Sequence, residues 1–104
     1  MHTERLTQVA TLLDGAYRYG LDQDDLTDQV LFALHEANEI ENDLIRLSGL
    51  TWLPLGPDVD AIGPTLTAAA DLLHALSGDL EPGDQLTITG YELRLRRLAD
   101  QVTP

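Results

Sequence analysis

Few residues in this chain have both the type and the spacing that chemistry demands. Nucleophilic catalysis needs a serine, cysteine or similar group activated by a neighbouring base. Cysteine is absent, and the only serines, Ser48 and Ser77, each precede a glycine. Ser-Gly after an apolar-periodic run is an ordinary helix stop, and neither serine has the strand-turn-helix setting of a hydrolase elbow. Metal chemistry has a better basis. His35 and Glu39 are four apart, Asp71 and His74 three apart, and both spacings set side chains next to each other on a helix. Two such pairs facing inward could hold a divalent ion. His35 and Glu39, however, fall opposite the apolar stripe of their segment, which directs them to water. No metal, no cofactor and no enzymatic activity is expected.

The run Asp22, Asp24, Asp25, Asp28 invites a calcium reading, but Leu26 and Thr27 occupy positions where a calcium loop needs a ligand and a glycine. The stretch Gly20 to Leu26 is similar to the approach to the second helix of the acyl carrier proteins, which are also small, acidic and four-helical. Their prosthetic group sits on a serine just before a leucine. Asp25 stands there, so no phosphopantetheine can be attached. The central Trp52 is likewise similar in position to that of small secreted helical-hairpin proteins with a Trp-x-Gly turn, but Leu53 and Pro54 follow it.

Charge narrows the partners. Eighteen acidic residues face six arginines and no lysine, for a net charge of −12. Such a field repels nucleic acid and anionic membranes and attracts basic proteins. A GC-rich or salt-adapted background would leave the same composition with no specific partner. The only basic cluster, Arg94, Arg96 and Arg97, is expected to lie against the acidic second helix. No run of about 18 apolar residues occurs. Met1 to Leu6 lead straight into a helical pattern, so neither membrane span nor signal peptide is expected and the cytoplasm is the expected location.

These residues are carried on segments that read as helices, giving an all-α fold. It is a small bundle of about four helices with a Pro/Gly-rich central connection, forming a single helical domain over residues 1–104. The first helix is expected from Glu4 to Tyr19, with Thr3 as N-cap and Gly20 as its stop. Its apolar face is Leu6, Val9, Ala10, Leu13, Ala16 and Tyr17. The second is capped by Asp24 or Asp25 and ended by Ser48-Gly49, with Leu26, Val30, Ala33, Leu34, Ala37, Ile40, Leu44 and Leu47 as its stripe. Pro54, Pro57 and Pro64 interrupt helix in the connection, where Asp58 can cap a short turn through Ile62. Pro64 opens a third helix that stops at Gly78 and is apolar around most of its circumference. Glu81-Pro82-Gly83-Asp84 reads as a turn, Gln85 to Thr89 as a short strand, and Thr89 to Glu92 as the capping box of a last helix reaching Val102.

The functional reading is a small acidic protein–protein interaction module that self-associates. Leu31 and Phe32 fall on the polar side of the second helix, where adjacent large apolar residues suggest an interface. Trp52 and Leu93 are further anchors, and Asp24, Asp25, Asp28, Glu36 and Glu39 supply an acidic rim for a basic protein partner. The alternatives are an acidic inhibitor of a basic or nucleic-acid-binding protein (immunity protein, antitoxin or DNA-charge mimic) and a helical-bundle metal protein or enzyme. Glu41 falls inside the apolar stripe, where a carboxylate needs a cation, a raised pKa or access to water. An ion pair is one expectation, with Arg94 as first choice and Arg5 and Arg18 as alternatives.

Overall fold

The computed structural model describes residues 3–24, 26–49 and 58–102. Four α-helices account for most of them: α1 Thr3–Leu21, α2 Asp28–Ser48, α3 Gly63–Ser77 and α4 Pro82–Val102. Asp25, Trp52 and the prolines Pro54 and Pro57 lie outside the described residues.

The ends of α2 follow from its sequence. Thr27 is the N-cap, its hydroxyl accepting from the Val30 amide at 3.2 Å, and Asp28 adds charge to the first turn. Thr27 takes the role expected of Asp24 or Asp25. Gly49 terminates the helix at φ 77°, a left-handed conformation that favours glycine. In α3, Pro64 sits in the first turn and Ser77 is the last helical residue, as its spacing requires. Residues 58–62 form no helical turn.

Two further boundaries differ from expectation. Gly20 does not stop α1 but lies buried within it. A Cβ there would come within 2.3 Å of Leu34 Cδ1 and 3.2 Å of Ile62 Cδ1, so glycine serves close approach of α2 and the start of α3. The other correction is larger: Gln85 to Thr89 is helix, not strand, and α4 begins at Pro82. Proline is at ease in a first helical position, where its missing N–H would have no partner. The Gln85 amide already donates to the Glu81 carbonyl at 2.8 Å. Ile88 is buried and extends the core face of Glu92, Leu95 and Ala99 at helical spacing, while Leu86 is left on the outside.

Among the described residues the helices pack as a ring, α1 on α2, α2 on α4, α4 on α3 and α3 on α1, with no Cα atoms within 8 Å of each other across the diagonals. Each neighbouring pair runs antiparallel. Arg5 reaches Asp79 while Gly20 meets Ile62. Gln29 donates to the Gln101 carbonyl while Tyr91 donates to Asp43. Asp71 bonds Arg96 while His74 meets Glu92. Helices α2 and α3 are therefore parallel and diagonal, and the connection between them joins opposite ends of the bundle, a known crossover arrangement. Leu13, Leu34, Ile40, Leu44, Leu66, Leu73, Leu76, Leu95 and Leu98 are fully buried at the centre, each worth about 1.5–3 kcal/mol of transfer free energy.

Candidate functional site

Helix α2 carries Asp28, Glu36, Glu39, Glu41 and Asp43 against Arg46 alone. Its buried face is Ala33, Leu34, Ala37, Ile40, Glu41 and Leu44, so helical periodicity turns Asp28, Phe32, His35 and Glu39 outward. Phe32 keeps 63% of its surface exposed. Asp28, His35, Glu36 and Glu39 are at the spacings that set side chains beside it. Asp24, also exposed, precedes the same helix. Leu31, expected beside Phe32 as a second exposed anchor, is instead half-buried. One residue of rotation turns it away from Phe32. His35 stands near the Tyr17 ring, centroids 5.9 Å apart and tilted by 58°. A depression lined by Glu39, Asn42, Asp43, Ile45 and Arg46 opens on this helix. All five of these described lining residues belong to α2.

The groups weighed for catalysis and metal binding are dispersed. Ser48 donates to the Ile45 carbonyl and Ser77 to the His74 carbonyl, so both hydroxyls bond helix backbone. The pairs His35/Glu39 and Asp71/His74 sit on the diagonal helices α2 and α3, whose Cα atoms come no closer than 8 Å. No group of three potential metal-ligating side chains occurs among the described residues.

Two buried carboxylates are treated in opposite ways. Glu92 on α4 receives the Arg96 Nε at 2.9 Å and meets His74 Nδ1 at 3.2 Å. Arg96 also donates to Asp71 at 2.9 Å. These hydrogen bonds, that to Glu92 first, raise the arginine pKa further. The arginine expected on acidic α2 thus ties α4 to α3. Glu41, 5% exposed, does not face Arg94. It lies toward α1, where Asp14 and Arg18 are its charged neighbours, and its Oε1 has no hydrogen-bond partner. Arg18 donates to Asp14 at 2.9 Å. Desolvation first, and then the Asp14 charge, lift the Glu41 pKa to about 7, with Arg18 opposing.

A surface absent from the sequence reading lies on α4. Leu86 is 77% and Leu93 57% exposed, seven residues apart on one face. Leu93 was expected as an anchor; Leu86 was hidden by the strand reading of Gln85 to Thr89. The unbroken spacing from Leu86 to Leu93 is the signal that finds it. The outer face of α3, a helix expected to be apolar around most of its circumference, consists of Pro64, Thr67, Ala68, Asp71, His74 and Ala75, with its leucines buried or half-buried.

No helix among the described residues is long and apolar enough to cross a membrane. No family model, characterised protein or solved structure matches the chain.

Proposed function

We propose that this chain is a small acidic protein-binding module that holds a basic partner on the outer face of α2. The observation that carries the reading is Phe32, an aromatic ring 63% exposed on a helix whose acids outnumber its single arginine. Exposed aromatics are frequent hot spots, and the surrounding charge steers and orients a cationic partner more than it adds affinity. Asp24, Asp28, Glu36 and Glu39 form that rim; Asp25 and Trp52 are assigned to the partner surface by sequence alone. The acidic-inhibitor reading uses the same face and differs in its target, a protein whose own ligand is nucleic acid.

The test is capture of basic proteins from the native host at low salt, followed by calorimetry of each captured protein with wild-type chain, Phe32→Ala and Asp28→Asn/Glu39→Gln. A genuine partner should lose at least about tenfold in affinity on Phe32→Ala at unchanged charge, the scale of a hot spot. Displacement of that partner by nucleic acid would favour the inhibitor. Indifference to Phe32→Ala would mean that charge alone was measured and would refute the reading.

A further inference from the structure

The outer face of α4 carries a regular pattern. Gly83, Leu86, Gly90, Leu93, Arg97 and Asp100 recur at alternating steps of three and four residues, and all six are exposed. That spacing is the seam along which one helix packs against another. The two leucines are large apolar groups left in water. Glycine is a poor helix residue on an open surface, yet a Cβ on Gly83 or Gly90 would meet no atom within 4 Å. Nothing described in this chain requires glycine at those positions. Close approach of a second backbone would.

We infer that this face pairs with the same face of a second copy, α4 against α4 in antiparallel orientation. The pattern is complementary to itself only that way. With the twofold axis near Ile88, Leu86 of one copy lies over Gly90 of the other, and Leu93 lies over Gly83. Large thus meets small at each step. Arg94 and Arg97 near the end of one helix come to Glu81 and Asp84 near the start of the other, and the helix dipoles oppose. A parallel pair would set leucine on leucine, glycine on glycine and Arg97 on Arg97. Charge also selects the helix: α2 is strongly acidic, whereas α4 balances Asp84, Glu92 and Asp100 with its three arginines. Two copies carrying −12 each meet at least cost along α4. One helix face covers less than the roughly 800 Å² per partner of a standard interface, which places the pair among weak, reversible associations.

Sedimentation of the full chain over a dilution series tests this, at ionic strengths of about 0.1 and 1 M, where the screening length falls from about 10 to about 3 Å. The expected result is a reversible dimer that tightens severalfold with salt as repulsion between copies is screened. Leu86→Asp and Leu93→Asp should each weaken it at least tenfold, with helical circular dichroism unchanged because both positions face water. Orientation is read by cysteine cross-linking, clean in a chain without cysteine. Leu86→Cys chains mixed with Gly90→Cys chains should form mixed disulfides in preference to either homodimer. A monomer at every concentration and salt level overturns the proposal, as does a dimer that survives Leu93→Asp or one whose cross-links join identical positions. The α2 reading fails or stands separately, since binding of a basic protein there weakens with salt and responds to Phe32→Ala.

Discussion

Replacing Glu41 by glutamine removes a charge that the fold holds at a cost. Its carboxyl is 5% exposed, with one oxygen unpartnered, and its pKa is raised from an ordinary 4.5 to about 7. Burial is the leading cause, Asp14 adds to it, and Arg18 offsets part. The folded chain therefore keeps a proton that the unfolded chain releases between pH 4.5 and 7. Stability falls as pH rises through that window, and the loss is complete above it. Each tenfold change in ionisation is worth about 1.4 kcal/mol, so the penalty is about 1 kcal/mol at pH 5 and about 3 kcal/mol at pH 8. Glutamine escapes this penalty, though its amide still needs partners, which costs about 1–3 kcal/mol if they are missing. That second cost is independent of pH and cancels when two pH values are compared. The effect of Glu41→Gln measured by urea denaturation should thus be about 2–3 kcal/mol more favourable at pH 8 than at pH 5. Titrations of carboxylates remote from Glu41 are common to both proteins and drop out. Asp14→Asn should lower the Glu41 pKa, and Arg18→Gln should raise it further. Equal effects at the two pH values, or a larger loss at pH 8, would mean that the Glu41 pKa is not raised and that the desolvation argument is wrong.

Gly20→Ala should destabilise by about 1–2 kcal/mol in chemical denaturation, because overpacking against fully buried Leu34 exceeds the helical gain of alanine. Gly90→Ala, facing open space, should stabilise the dilute monomer by about 0.5–1 kcal/mol; equal signs at the two sites would refute the packing argument. Glu92→Gln should cost about 1 kcal/mol, discounted because Arg96 is more than a third exposed. A double-mutant cycle with Arg96→Gln reads the coupling, and strictly additive effects would show that the pair only fills space.

Much of this fold could be read from residue periodicity. The stripe from Ala33 to Leu44, the glycine stop at Gly49 and the proline start of α3 are local rules acting alone, and they agree with one another. The start of α4 was obscured because Pro82-Gly83 is turn chemistry and Thr87-Ile88-Thr89 alternates like a strand. Tertiary burial of Ile88 beside Leu95 overrides both. Gly20 illustrates the same limit: a stop and a close approach use one residue type, and only the position of Leu34 distinguishes them. The ion-pair partners required the order of helices in the ring, which periodicity does not contain. Arg96 found α3 instead of α2, and Glu41 faced α1 instead of Arg94. Phe32 was legible as an exposed anchor because its position on the α2 wheel is unambiguous. Leu31 was not, because it lies between the buried and the exposed faces of α2.

The two proposed surfaces are linked through charge even without a shared residue. Self-association along α4 must overcome repulsion between two chains of −12, and the charge on α2 contributes to that repulsion. A basic protein held on α2 cancels part of it, so each bound partner lowers the opposition to α4 pairing. By reciprocity, the dimer must bind the basic partner more tightly than the monomer by the same factor. The coupling is electrostatic and long-ranged, so it should be largest at low ionic strength and fade as the screening length drops to about 3 Å near 1 M salt. Sedimentation of the chain with and without saturating basic partner measures it directly. Partner-induced dimer that disappears with Leu93→Asp and weakens with Gly90→Ala would match this account. Dimer formed equally well by the Leu93→Asp chain would mean that the partner itself bridges two copies, and the linkage would be lost.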